Sequence, residues 1–507
     1  MLESPLRSFE HRHFLSMVDR DDPQVIPDFY AYNIENWLIR NSGELVMRKG
    51  ITARGTSPSS TNLGSTVLYK ANGTKKFLRV INGAANTSKF QDSENGTTWT
   101  DVSGGGSRST NISWKFVQAN DNVYGVNGTD TPIKYSGSAV STVVAIPNGL
   151  GIEWWKNFLW IIGNTTYPDR AYFSAVNDPE TFGGSDYINV NLGDYSPGVG
   201  LKGTPGLGGR LFIGKSRSIW YITGTSSSNF ALNNLTYEHG TASHESMVYA
   251  RNDVWCVDLD GNVRKLYRTS TDDPFSNLES SDIQYTISGL NRASMSKTTS
   301  VFFDDYIMFF VPNGVDDYNS LVLVYDLQAN NNKGGWTKFT NWKIARATVF
   351  FETTPKLFLH DARTNNGQTY EWTGTSDNGT SITAKYETKI YDHEYQERQK
   401  VWKFLWQTAP VIGSDQIRVY CSIDRYYYTL LKSFALTGTG NKLLGVDWTL
   451  GVDKLGSGGF VNQQIFYTEG GGQSTGYTQQ IKLEAESSTT QMKIRRFTSH
   501  YRVKGLR

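Results

Sequence analysis

The sequence predicts an all-β protein: a β-propeller of six or seven blades followed by a β-sandwich-like C-terminal domain. The first observation is a repeated strand phrase, an apolar or aromatic run, a Gly/Asn/Asp turn, another run and a tryptophan near the end of the unit. It recurs in KKFLRVINGAANTSKFQDSENGTTWTDVSG (75–104), NVYGVNGTDTPIKYSG (122–137), GRLFIGKSRSIWYITG (209–224) and LVLVYDLQANNNKGGWTKF (321–339). Runs of about 4–8 β-favouring residues between turn clusters, recurring every 40–50 residues or so, are the pattern of radially repeated sheets. The second observation is composition: 49 glycines, 28 tyrosines, 25 phenylalanines and 14 tryptophans in 507 residues, with few helix-periodic stretches, which is turn-rich β composition. The third is that the repeats stop near residue 375 and give way to longer strands.

Residues 1–60 read as a charged arm with Pro23 and Pro27, then NIENWLIRNSGELVMRKG (33–50), a strand, an Asn-Ser-Gly turn, a strand and a stop at Gly50. This segment is expected to contribute to the propeller or to subunit contacts. Residues 61–375 hold the blades. Pairing the first and last segments in one blade would remove exposed edges. After Asp377-Asn378-Gly379, residues 376–507 carry SITAKYETKIY, KVWKFLWQ, QIRVYCSID, YYYTLLKSFAL and QQIKLEAES. The alternation in IRVYCSI and IKLEAES predicts half-buried strands of a separate sandwich. In HEYQERQKVWKFLWQ (393–407), Val401, Trp402, Phe404 and Trp406 favour a strand for the second half.

The formal net charge of +2 offers no global nucleic-acid or membrane footprint. No long uninterrupted apolar span appears and the N-terminus lacks a secretory pattern, so a soluble, non-exported chain with no membrane insertion is expected. Cys256 and Cys421 are the two cysteines, too few for a disulfide framework and in keeping with a reducing folding compartment.

Several motifs have plainer readings. Gly209 to Ser216 matches the phosphate-loop pattern G-x-x-x-x-G-K-[ST], but its middle residues and the residues after Ser216 are strands, not a loop and a helix. A hairpin is expected there, with Lys215 a surface turn lysine whose loss leaves folding nearly unchanged. Asp92 to Trp99 looks like the Asp-box turn of sialidase-type propellers, with Asp92 for its Ser and Glu94 for its Asp, and speaks for architecture rather than chemistry. Asp258-Leu-Asp260-Gly261-Asn262 starts like a calcium loop but lacks the downstream acidic ligand, so an Asp-Gly turn is expected. His239 and His244, flanked by Glu238 and Glu245, lack a metalloprotease pattern and default to a surface loop. No nucleophile elbow is present. No catalytic, metal or cofactor site is expected.

The C-terminal KIRRFTSHYRVKGLR concentrates Lys493, Arg495, Arg496, Arg502, Lys504 and Arg507. It reads either as an exposed edge strand guarded by charge or as a cationic interface toward an acidic protein or DNA phosphates. If it is an interface, truncation after Glu486 should impair assembly and leave the propeller folded.

Several phrases together resemble the tail nozzle (tail tubular or tail accessory) proteins of short-tailed bacteriophages. They are the N-terminal phrase with Asn36, Gly43, Leu45, Arg48 and Gly50, the blade phrase with Asn127, Gly128, Asp130, Pro132, Tyr135 and Gly137, and LWIIGNTTYPDRAYFSAVNDPETF with Pro168, Arg170, Ser174, Asp178, Pro179 and Phe182. SIDRYYYTLLKSFAL and HYRVKGLR are similar to endings of such proteins. The resemblance implies a non-enzymatic virion protein, made in the host bacterial cytoplasm and placed in the tail below the adaptor. It implies a homo-oligomeric ring, a hexamer, that forms and gates a channel for double-stranded DNA and contacts the tail adaptor and tail fibre or spike proteins. The alternative is a propeller that binds or cleaves host surface glycans, which would gather aromatics and carboxylates at one propeller mouth. A cellular scaffold propeller is a third reading.

Overall fold

The computed structural model describes residues 4–40, 43–83, 87–104, 106–194, 196–206, 208–266, 278–410, 416–425, 427–435, 460–466, 474–489 and 491–504. Among the described residues seven antiparallel blades are present, the higher of the two expected numbers. Blade 1 is Asn62–Tyr69, Lys75–Asn82, Ser88–Ser93 and Thr100–Asp101. Blades 2, 3 and 4 open on Lys115–Ala119, Gly151–Trp155 and Gly198–Gly203 and have four strands each. Blade 5 is Val248–Ala250, Asp253–Val257 and Val263–Lys265. Blade 6 is Thr299–Phe303, Tyr306–Pro312, Asn319–Asp326 and Gly335–Phe339.

Blade 7 shows how the ring closes. Its first three strands, Ile344–Phe351, Pro355–Asp361 and Thr369–Trp372, come from the end of the repeat region, and its outermost strand is Ile51–Arg54, with Ile51 opposite Trp372 and Arg54 opposite Thr369. The completing strand follows the N-terminal hairpin, in which Trp37 and Leu38 pair with Met47 and Val46. The innermost strands of blades 7 and 1 lie side by side, and Ser65 Oγ meets Thr348 Oγ1 at 2.8 Å. The ring is therefore closed, and its ends are held by backbone hydrogen bonds.

The local sequence accounts for the blades. In blades 3, 5 and 6 the first hairpin turns on Lys156-Asn157, Arg251-Asn252 and Asp304-Asp305, both residues of each pair at positive φ, the geometry whose twist matches a two-residue hairpin. The second strands are sandwiched between neighbouring blades and are largely buried, along their whole length in Phe158–Ile162 and Tyr306–Pro312. Such strands need apolar side chains on both faces, which explains the continuous runs FLWII and YIMFFVP.

The C-terminal region is a two-sheet sandwich, but it is not detached from the propeller. One sheet orders Arg7–His11, Arg496–Val503, Lys400–Pro410 and Phe460–Phe466. The other orders Ala31–Glu35, Ile382–Thr388, Gln479–Ser487, Gln416–Ile423 and Thr429–Ala435, and it continues into blade 6 because Glu35 pairs in parallel with Lys338. The result is one nine-stranded sheet. A single hydrophobic cluster likewise runs from Trp255 and Trp336 of the propeller to Tyr386, Leu483 and Tyr501 of the sandwich. The charged N-terminal arm is built into this body: His11 is fully buried, with Nδ1 2.8 Å from Tyr391 Oη and Nε2 2.8 Å from Tyr386 Oη.

At the junction the chain enters the propeller, leaves blade 6 and leaves blade 7 around one side chain. Arg48 is buried and donates to Asp377 through Nη1 at 2.8 Å and Nη2 at 2.6 Å. Its Nε donates to Asn36 Oδ1 at 2.8 Å, and its guanidinium lies 4.5 Å from the Trp342 ring centroid. Asn36 stands at φ 59°, and its Nδ2 donates to Thr340 Oγ1 at 2.9 Å and Thr383 O at 2.7 Å. At Gly50 a Cβ would come within 2.0 Å of Ser376 O, so only glycine allows the two backbones to touch. Breaking a buried charge pair leaves the partner uncompensated, so Arg48→Met is expected to lower stability by about 3–5 kcal/mol. Arg48→Lys should recover only part of it, because an ammonium cannot reproduce the fork or the stacking. Urea unfolding midpoints of the three proteins check this.

Candidate functional site

The propeller axis gathers titratable side chains from several blades. The innermost strands bring Ser65, Glu153, Lys202, Tyr249, Phe302 and Arg346 around a cavity of about 550 Å³. Into its wall projects a short 3₁₀ turn, His244–Ser246. The segment TASHES forms this turn because Ser243 Oγ accepts from Ser246 N at 2.9 Å and donates to Thr298 O at 2.6 Å, while Thr241 Oγ1 meets Ser246 Oγ at 2.8 Å. Glycines make room for it: a Cβ on Gly200 would reach 3.0 Å from His244 Cα, and one on Gly151 would reach 3.2 Å from His244 Nδ1.

Glu245 is the centre of the site. From the approach to blade 5 it reaches across the axis to Lys115 Nζ of blade 2 at 2.9 Å and to Arg346 Nε of blade 7 at 3.4 Å. Ser113 Oγ lies beneath both cations, accepting from Lys115 Nζ at 2.5 Å and from Arg346 Nη2. Alongside, Lys202 Nζ donates to Glu153 Oε2 at 3.3 Å. Burial alone would raise the Glu245 carboxyl, but Arg346 and Lys115 outweigh it and hold the group down at about 2. Burial pushes the Lys115 ammonium down to about 8 against the pull of Glu245. Burial also takes His244 to about 3. Its Nδ1 accepts from Leu201 N at 3.2 Å, so the ring is neutral with its proton on Nε2. The arrangement is an ionic bolt across the propeller axis. It offers no proton near neutral pH from Glu245, whereas a glycosidic general acid needs a raised carboxyl.

His244 and Glu245 are therefore not a surface loop, as the lack of a metal-binding pattern predicts. The inward path of the turn depends on the glycines of neighbouring blades, which local sequence does not reveal. Lys215 also departs from expectation. It is buried and not at the surface, because Gly198–Gly203 and Ile219–Thr223 flank its strand and its ammonium is taken up by Asp169 Oδ1 at 2.8 Å, Asp194 Oδ1 at 2.6 Å and Val190 O at 3.0 Å. The phosphate-loop match thus lies in a hairpin whose lysine ties blade 4 to blade 3. In the Asp-box-like turn the side chains that lock the backbone are Ser93 and Asn95, one residue on from the matched pair. Asp92 instead accepts from Tyr135 Oη at 2.6 Å. In the calcium-like loop, Asp258 accepts from Asn262 N at 2.9 Å and from Arg264 Nε at 3.0 Å, so a guanidinium sits against the carboxylate.

The residues of the resembling phrases are structural. Asn36, Arg48 and Gly50 build the junction described above, and Gly43 sits in the hairpin turn at φ 62°. In blade 2, Asn127 Oδ1 accepts from Thr129 N at 2.9 Å and Asp130 N at 2.7 Å, and Asp130 accepts from Ser109 Oγ at 2.9 Å, fastening the loop to the connection from blade 1. Pro132 O accepts from Val143 N at 2.8 Å.

Among the described C-terminal cations Arg496 and Arg502 do not lie on an edge strand, whereas Lys493 stands on the outer strand of a three-stranded sheet. Arg496–Val503 is flanked on both sides, by Arg7–His11 and by Lys400–Pro410, and Phe497, Tyr501 and Val503 face the core. Arg495 pairs with Glu44, and Arg496 Nη1 lies 3.0 Å from Glu10 Oε1. Lys504 Nζ is 3.4 Å from Gln399 Oε1, Lys493 pairs with Val46 in a small sheet, Arg502 faces Val401 in the register, and Arg507 lies outside the described residues. Truncation after Glu486 would remove a central strand and is not a clean test of an interface. Among the described residues no helix is long and apolar enough to cross a membrane.

No protein-family model and no curated protein matches the sequence. Solved structures with similarity include the WD40 domain of Toxoplasma gondii coronin, at 8% identity over 73% of this chain and 86% of that one, TM-score 0.36. They also include the exo-β-1,3-galactanase of Phanerochaete chrysosporium, at 8% identity over 90% of this chain and 100% of that one, TM-score 0.28. A third is the Aleuria aurantia lectin in complex with a fucosylated disaccharide, at 10% identity over 55% of this chain and 94% of that one, TM-score 0.28. Overlaps this weak carry no argument; the propeller rests on its own strand pairing.

Glu245→Gln leaves Lys115 and Arg346 facing a neutral amide and is expected to cost about 2–4 kcal/mol at neutral pH, somewhat less than for a fully enclosed pair. Because the folded carboxyl titrates at about 2 against an ordinary 4.5, the wild-type advantage is fully present above the ordinary value and is lost as pH falls toward 2. Denaturation of both proteins across that range checks the sign. Lys215→Ala, which strands Asp169 and Asp194, is expected to be destabilising by about 2–4 kcal/mol in the same assay.

Proposed function

We propose that this chain is a non-enzymatic structural protein of a short-tailed phage virion, a subunit of the tail nozzle ring through which the genome leaves. The observation that supports it best is where the resembling phrases fall. Asn36, Arg48 and Gly50 hold the propeller to the sandwich, and Asn127 and Asp130 fasten blade 2 to blade 1. On this reading the resembling phrases mark the scaffold of the subunit, and a scaffold is what a ring component contributes.

The axis of the individual propeller is too small and too strongly crossed by ion pairs to pass a duplex: its cavity is about 550 Å³ and Glu245 bridges it. In this reading the DNA path is the lumen enclosed by neighbouring subunits, six by the resemblance. Arg495 and Arg496 keep 53% and 56% of their side chains exposed while paired to Glu44 and Glu10. They are the proposed points of contact with an acidic neighbour or the adaptor. The glycan reading has one observation in its favour, the gathering of Glu153, Glu245, Phe116, Tyr249 and Phe302 at one propeller mouth. The depressed Glu245 carboxyl speaks against its cleaving form.

Negative-stain imaging of the purified full-length protein over a range of concentrations, with immunogold labelling of phage particles, tests the proposal. Closed rings and label at the tail tip are expected. A monomer at every concentration together with unlabelled particles would overturn it, and capsular polysaccharide binding by that monomer would favour the glycan reading.

A further inference from the structure

The axial cavity contains more donors and positive charge than the chain itself satisfies. Arg346 enters from blade 7 and Lys202 from blade 4, far apart on the ring. With Lys115 behind Glu245, three cations meet two carboxylates, Glu153 and Glu245. Arg346 Nε is within ion-pair distance of Glu245 but makes no hydrogen bond. Among the described residues Lys202 Nζ has only the 3.3 Å contact to Glu153, which uses one of its three donors. Lys202 Nζ thus keeps unused donors and Arg346 Nε is left without a hydrogen bond, and an unmet donor or uncompensated cation in a partly enclosed site is costly.

We propose that the axial cavity binds a small organic anion: a carboxylate or phosphate group on a sugar-sized polar body. The anionic group takes up the donors of Lys202 Nζ that Glu153 leaves unused and balances the third cation. The body is called for by size. At about 550 Å³ the cavity falls within the range of about 300–1,000 Å³ typical of small-molecule sites and is far larger than an inorganic oxyanion needs. Phe116, Tyr249 and Phe302 provide flat apolar wall for a sugar ring. The assignment goes beyond the nozzle reading and does not depend on ring formation.

Isothermal titration of the full-length protein with D-glucuronate, D-glucose 6-phosphate, inorganic phosphate and D-glucose tests it. Saturable binding of at least one sugar acid is expected, with no binding of glucose. Lys202→Gln should weaken the binding about tenfold or more, and Lys202→Arg should restore it. Lys202 is part-exposed, so its variants test the site without unfolding the core. Absence of saturable binding by both sugar acids, equal binding of glucose, or an affinity unchanged in Lys202→Gln would overturn the proposal. Inorganic phosphate binding as tightly as the sugar acids would overturn the sugar-sized ligand.

Discussion

The guanidinium of Arg48 is the point where three distant stretches of chain meet: the entry to the propeller at Asn36, the exit from blade 6 at Thr340 and the exit from blade 7 at Asp377. Five N–H donors in a rigid fork suit this position, because each stretch offers an acceptor in a different direction. Around it the parallel strand Ala31–Glu35 joins blade 6 to the sandwich, and Ile51–Arg54 closes blade 7. Ring closure and the attachment of the second module thus depend on the same side chain, with Gly50 allowing the backbones to touch.

A second constraint acts at the centre. Seven inner strands converge on an axis that must be filled or bridged, and this chain bridges it with charge: Glu245 links blade 5 to blades 2 and 7. Buried ion pairs add little net stability over a hydrophobic filling, but breaking one is costly, so they specify which arrangement is native more than they deepen it. Lys215 does the same between blades 3 and 4. Charge inside the propeller therefore ties particular blades to one another, while apolar clusters pack between them.

The fold class was legible because blades are local objects. The runs on either side of Gly-Lys-Ser in GRLFIGKSRSIWYITG declare a hairpin locally, and the alternation of IKLEAES declares a sandwich strand. What was not legible depends on partners far away in sequence. Lys215 looks like a turn lysine until Asp169 and Asp194 are placed against it, and Glu245 looks like a loop residue until Lys115 and Arg346 arrive from blades 2 and 7. The basic C-terminal strand looks like a guarded edge until Arg7–His11 covers its free side. The change of strand length after residue 375 marks a real change of architecture, yet the sheet continues through it by way of a strand from the N-terminal arm.

If the nine-stranded sheet and the Arg48 hub make propeller and sandwich one mechanical body, the two modules must lose structure together. Hydrogen–deuterium exchange of the full-length protein at increasing urea measures this for Ala31–Glu35, Gly335–Phe339 and Ile382–Thr388, the three strands that cross the junction. The account predicts that all three lose protection at the same urea concentration. Exchange of Ile382–Thr388 and Gln479–Ser487 at clearly lower urea, with Gly335–Phe339 still protected, would contradict it.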